Sequence, residues 1–101
     1  MLTQAEEKVK SRLLKYLSRD KTGIRHAVLS LFLTNNTFTT QEIYHHLSES
    51  QFEITYRGVS AMVGLMNTRL GILSINVSGD HNKYSLKYDH MGIVQGVITE
   101  T

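Results

Sequence analysis

The chain of 101 residues contains no cysteine, no proline and no tryptophan, and its aromatic content is three phenylalanines and five tyrosines. Without cysteine there are no disulfides and no thiolate metal sites, which fits an intracellular, cytoplasmic location. Without proline, no helix need be broken by a ring that removes an N–H donor. No apolar run approaches the roughly 18 to 20 residues that span a bilayer, so no membrane partner is expected. The opening MLTQAEEKVK is polar and acidic, unlike the apolar heart of a secretory signal. There is no glycine-rich phosphate loop and no nucleophile elbow around any serine. The acids, Glu6 and Glu7 among them, read as solvated helix faces rather than converging carboxylates. The expectation is therefore a protein that is not an enzyme and carries no cofactor.

What is present is ordinary for a globular chain: 41% hydrophobic and 20% charged residues, with a net charge of +2. One small domain over residues 1–101 is expected, with a core small enough that a second copy would add useful buried area. The distribution of charge says more than its sum. Seven Lys/Arg face three acids in residues 1–34, and residues 35–54 hold three acids and no Lys/Arg. Arg57, Arg69, Lys83 and Lys87 then oppose Asp80 alone over residues 55–88. Such segregation favours a polyanionic partner, although a solvated basic surface is the plainer explanation.

Residues 3–19 read as a helix, with Ala5, Val9, Leu13 and Leu17 at every fourth position and Leu2 and Tyr16 beside them. Asp20 or Thr22 starts a second helix after a break at Gly23. That helix runs to about Leu33, with Ile24, Val28, Leu31 and Phe32 on its core face and Leu29 and Leu33 adding area. Asn35-Asn36 ends it in a turn. In Phe38-Thr39-Thr40-Gln41-Glu42-Ile43, Thr39 and Glu42 have the spacing of a capping box, and Phe38 and Ile43 that of a hydrophobic staple. A third helix follows from about Thr40 to Leu47, burying Ile43, Tyr44 and Leu47, and Ser48 to Gln51 form the turn. Ile54-Thr55 repeats the device, with Thr55 as cap and Ile54 stapled to Val59. A fourth helix then extends to about Leu70 with Val59, Met62, Val63, Met66 and Leu70 on one face, and Gly71 closes it. Leu73, Ile75 and Val77 alternate with Ser74, Asn76 and Ser78. Tyr84, Leu86 and Tyr88 alternate with Lys83, Ser85 and Lys87. Two half-buried strands joined through Gly79-Asp80-His81-Asn82 are expected. The tail from Asp89, with Ile93, Val94, Val97 and Ile98, is either a helix or a third strand.

A short capped helix, a turn, a longer capped helix and a two-stranded ribbon follow the order of a winged helix-turn-helix. The expected fold is thus mainly α with a small β-ribbon. The winged core would lie at 22–88, between an N-terminal helix at 3–19 and a C-terminal segment at 89–101. The runs Arg25-His26-Ala27-Val28-Leu29, Thr39-Thr40-Gln41-Glu42-Ile43-Tyr44, Ile54-Thr55-Tyr56-Arg57-Gly58-Val59 and Leu70-Gly71-Ile72-Leu73 resemble the DNA-binding half of ferric-uptake-type regulators. There a T-x-x-E-I-Y helix precedes a reading helix that begins near Tyr-Arg and ends at Leu-Gly-Ile. The whole chain also resembles a small, uncharacterised family of archaeal winged-helix proteins. The likeness covers about residues 24–88 and carries across only the Tyr56-Arg57 start of the reading helix. The regulators' metal-binding dimerisation domain has no counterpart here, so metal sensing is not implied.

The outer face of the fourth helix (about 55–70) is then the candidate DNA-reading surface, and the ribbon (about 72–88) its wing. Arg57 can meet a guanine edge or a phosphate, while Thr55, Tyr56 and Ser60 can donate to phosphates near the positive helix end. Ala61 and Gly64 leave room for a groove wall. Gly58 and Gly64 each cost about 1 kcal/mol inside a helix, and tight helix–helix packing is their alternative explanation. On the ribbon, Lys83 can meet a phosphate and Asn82 a minor-groove edge, with Asp80 opposing; an ordinary exposed hairpin tip is the plainer reading. His45 and His46 are adjacent, about 100° apart on a helix, and so are poorly placed to share a metal. The expected partners are double-stranded DNA and a second copy of the chain. In a homodimer the two terminal apolar segments would form the interface, unless they pack on their own core. The expected function is transcription regulation. The rival readings are a protein-interaction module that uses the same face, and RNA binding with Tyr56 as the stacking residue.

Overall fold

A computed structural model describes residues 2–34 and 36–100, with the Ser78 side chain left aside. Asn35, in the expected turn after the second helix, lies outside the described residues. Five helices form: α1 (Gln4–Ser18), α2 (Ile24–Phe32), α3 (Thr40–Glu49), α4 (Tyr56–Thr68) and α5 (Met91–Glu100). Strands β1 (Leu73–Ser78) and β2 (His81–Leu86) pair antiparallel between α4 and α5, and a 3-10 turn (Tyr88–His90) leads into α5. The protein is mainly α with a small two-stranded β-ribbon.

Local chemistry sets each helix start. The Thr39 hydroxyl accepts from the Glu42 N–H at 3.1 Å, and the Glu42 carboxylate accepts from the Thr39 N–H at 2.8 Å. Each side chain satisfies a backbone donor that the helix leaves orphaned. The backbone bond from Thr39 holds the Glu42 carboxyl below its ordinary pKa. Its stabilisation is therefore present above the ordinary carboxyl range and is lost as pH falls through the depressed value. The same box recurs at α1, where Thr3 and Glu6 exchange bonds of 3.0 and 3.1 Å. α2 begins differently. Gly23 is left-handed (φ 83°), which lets the Asp20 carboxylate receive the N–H groups of Arg25 at 3.2 Å and His26 at 3.0 Å. Gly71 (φ 65°) follows α4 as expected. Gln51 adopts φ 67° after α3, a conformation that costs a side-chain-bearing residue about 1 to 2 kcal/mol relative to glycine.

The core is one cluster drawn from all five helices and the base of the ribbon. Val28, Leu29 and Phe32 are fully buried on α2, whereas Leu31 is half-buried, so the helix sits rotated toward Leu29 relative to the expected face. On α1, Leu13, Tyr16 and Leu17 are buried, Val9 is half-buried and Ala5 is exposed, because the helix's first turn overhangs the core. The tail is a helix. Ile93, Val94 and Val97 are buried where α5 packs on α1 and α2. Leu13, Leu17, Ile93, Val94 and Val97 of the two terminal stripes are thus covered within the chain, whereas Ala5 is exposed and Leu2, Val9 and Ile98 are half-buried.

The ribbon departs most from expectation. Leu73 pairs with Leu86 at its base, and both are buried. Further out, Ile75 is 41% and Val77 74% exposed. The strands alternate as expected but project beyond the helices, so only the base of the apolar face meets core. Tyr88 falls in the 3-10 turn and is 88% exposed rather than extending that face. The connection is also tighter than expected. Gly79 and Asp80 form it alone, with Gly79 at φ 73°, and His81 and Asn82 belong to β2. An isolated antiparallel bridge ties the ribbon to the segment before α3: Phe38 donates to the Tyr84 carbonyl at 2.9 Å, and Tyr84 to the Phe38 carbonyl at 2.8 Å.

Two measurements check this account. Thr39→Ala should cost about 1 kcal/mol, a lowering of roughly 4 °C in Tm, with Thr39→Ser retaining most of the stability. Burial of Tyr16 raises its phenol from 10.0 to about 12. Folding stability should therefore be unaffected by this group below pH 10 and fall as pH rises toward 12. Ultraviolet titration should show one late tyrosine, absent in Tyr16→Phe.

Candidate nucleic-acid interface

The start of α4 is fixed by Thr55, whose hydroxyl accepts from the Gly58 N–H at 3.0 Å. Its inner face buries Val59, Val63 and Met66, with Leu70 just beyond its end. That phase turns Arg57, Ser60 and Ala61 outward, all exposed, with Gly64 following half-buried on the same stripe. Tyr56 is 52% exposed, and its ring meets Tyr44 edge-on at 6.2 Å between centroids. Among the described residues no carboxylate lies within ion-pair distance of Arg57.

The two glycines of α4 serve different ends. A Cβ on Gly58 would meet Ile54 Cγ1 at 3.1 Å and Thr55 Oγ1 at 3.3 Å, so Gly58 makes room for the staple and cap residues before it. A Cβ on Gly64 would meet nothing within 4 Å. Helix–helix packing therefore accounts for neither the position nor the cost of Gly64.

The ribbon tip and the starts of α3 and α4 border one polar cleft of about 310 Å³. Thr39, Thr40 and Gln41 line it from α3, Tyr56 and Ser60 from α4, and Asp80, His81, Asn82 and Tyr84 from the ribbon. The Phe38–Tyr84 bridge holds these parts together. Two helix N-termini thus border the same space, and their orphan N–H groups and positive dipole ends suit an anion. Asp80 counters this at the ribbon side.

Tyr56, Ser60 and Asn82 of the expected contact set meet in the cleft. Thr55, Arg57, Ala61 and Gly64 instead follow the outer stripe of α4. Lys83 is exposed but points to the opposite face of β2 from Asn82. Its charge contributes to lowering the Glu42 carboxyl, after the larger effect of the Thr39 backbone bond. Thr39, Thr40, Gln41 and His81 join the cleft in addition to the contact residues expected from sequence. The capping box was the available signal, since it fixes where the free N–H groups of α3 point.

The two adjacent histidines of α3 have local roles. His45 pairs with Glu49 at 2.9 Å, one helical turn on, and the His46 ring packs edge-on to Phe38 at 5.8 Å. Among the described residues there is no group of three or more potential metal ligands. No helix among them is long and apolar enough to cross a membrane.

The molecule is a small, mainly helical protein with a two-stranded ribbon. It belongs to the DUF2551 family, described as a protein of unknown function, which matches residues 13–94. The chain is similar to an uncharacterized protein of Archaeoglobus fulgidus, with 46% identity over 92 residues, covering 91% of this chain and 94% of the relative. No solved structure matches.

The open space at Gly64 makes a stability prediction. Gly64→Ala should raise the unfolding free energy by up to about 1 kcal/mol, read as a higher urea midpoint at unchanged m-value.

Proposed function

We propose that this protein is a winged helix-turn-helix DNA-binding protein acting in transcription regulation. α4 enters the major groove, and the ribbon serves as a wing on the flanking backbone. The observation that carries this reading is the outer stripe of α4, which is hydrophilic or small throughout. Among the described residues no carboxylate lies within ion-pair distance of Arg57, and a Cβ on Gly64 would meet nothing within 4 Å. A helix that reads DNA needs an exposed donor for base edges and a narrow profile where it meets the groove wall. The cleft beside it offers the first turns of α3 and α4 to a phosphate. The local likeness to the DNA-binding half of ferric-uptake-type regulators supports the same assignment of Tyr56 and Arg57.

A second reading, docking on a protein partner, is favoured by one observation. Ile75 and Val77 leave an apolar strip exposed along the outer ribbon. On a wing, the same strip would lie beside the DNA backbone, where apolar area brings little gain.

Fluorescence anisotropy on random duplex DNA, across a salt series, separates these readings. Arg57→Ala should weaken duplex binding about tenfold with an unchanged circular dichroism melt. Lys83→Ala should lower the slope of log K against log salt by about one unit. Unchanged duplex affinity in Arg57→Ala, in a folded protein, would refute the reading. So would a Kd that does not respond to salt.

A further inference from the structure

The densest positive charge lies away from that face. Arg12, Lys15 and Arg19 follow one side of α1 at spacings of three and four residues, and Arg25 approaches from α2 and Arg69 from the end of α4. Together they rim a groove of about 540 Å³. Its apolar lining is Tyr16 and Leu70, both buried, and Leu65, half-buried. No carboxylate lines it. Among the described residues none lies within ion-pair distance of Arg12, Lys15, Arg19 or Arg69. Arg25 is held in place: its Nη1 donates to the Tyr16 carbonyl at 2.8 Å, and its guanidinium lies 4.2 Å from the centre of the Tyr16 ring.

Part of this clustering has an ordinary cause. Lys15 and Arg19 end α1 and Arg69 ends α4, where cations offset the negative end of the helix dipole. That cause does not cover the other two. Arg12 is mid-helix, and Arg25 is in the first turn of α2, at the positive end. Five like charges around one concavity repel one another, and among the described residues no carboxylate lines it; the Asp20 carboxylate, nearby, accepts instead from the N–H groups of Arg25 and His26. A bound anion would relieve that repulsion.

We propose that this groove binds an organic polyphosphate of nucleotide size. Arg12, Lys15, Arg19 and Arg69 hold its phosphates, and Leu65 and Leu70, beside the Arg25-covered Tyr16, seat its ring. The volume lies in the range of small-molecule sites, and an apolar lining beneath a cationic rim matches a ligand with an apolar body and a charged tail. A duplex backbone offers the second feature without the first. Arg69 lies about 18 Å along α4 from Arg57 and on a different side, so the site is separate from the DNA-facing stripe. A ligand there touches the far end of the same helix, and its binding does not depend on the DNA reading being right.

Calorimetric titration of the full chain at low salt tests this with ATP, inorganic tripolyphosphate and adenosine as probes. ATP should bind at one site, tripolyphosphate roughly tenfold more weakly, and adenosine not measurably. The double variant Arg12→Gln/Arg69→Gln should lose at least about tenfold in ATP affinity, and Arg57→Ala should stay within about twofold of the parent. Circular dichroism melts confirm that both variants fold. Absence of ATP binding would overturn the proposal. Equal binding of tripolyphosphate would remove the role of the apolar lining, and equal loss in Arg57→Ala would move the anion to the other face. If the double variant weakens duplex binding while ATP does not bind at all, the groove is a backbone-contact surface and the proposal fails, whereas the DNA reading survives.

Discussion

The exchange of backbone hydrogen bonds between Phe38 and Tyr84 is the constraint on which the arrangement of this molecule depends. Phe38 stands one residue before the α3 cap, and its ring packs edge-on against Phe32, the last residue of α2. Its backbone meanwhile takes both bonds of Tyr84 in β2. One residue therefore fixes the end of α2, the start of α3 and the tilt of the ribbon. Beyond its buried base at Leu73 and Leu86 the ribbon has this tie to hold it against the helices, and an unsupported hairpin is marginally stable in water. With the tie, the ribbon tip stands beside the first turns of α3 and α4, and the polar cleft among them exists.

The rest of the fold distributes the work of a small core. α5 covers the face that α1 and α2 would otherwise leave open, so the terminal segments complete a core that residues 24–88 could not close alone. α4 lies between two chemically different surroundings. Its first turns border the cleft and present a narrow hydrophilic stripe. Its last turn borders the cationic groove against α1. An anion at either end would act on the same rod, which gives the two surfaces a physical route to influence one another.

Much of this was legible in the sequence because the signals were local. The Thr39–Glu42 box, the Thr55 cap, Gly71 and the inward side of α4 all follow from spacings within a few residues. The Thr3–Glu6 box has the same spacing and is readable by the same rule. α3 runs on to Glu49, past the expected end at about Leu47, and Gln51 rather than a glycine takes the left-handed position after it. The ribbon's alternation was clear, but alternation does not say how far a strand projects beyond its support, and so Ile75 and Val77 were expected inside. The tail stayed ambiguous because Gly92 and Gly96 dilute its helical pattern. The Phe38–Tyr84 bridge and the gathering of Arg12 with Arg69 were out of reach. Both join residues more than forty positions apart, and no local spacing encodes that distance.

The most direct test of the central claim is a residue-resolved one. Random duplex DNA is titrated into isotope-labelled protein, and backbone amide shifts are followed. The account predicts that perturbations concentrate at residues 55–64 of the α4 stripe, at residues 39–41 of the α3 start and at residues 80–83 of the ribbon tip. Shifts absent from those segments at saturating duplex, or confined to α1 and the groove, would contradict it.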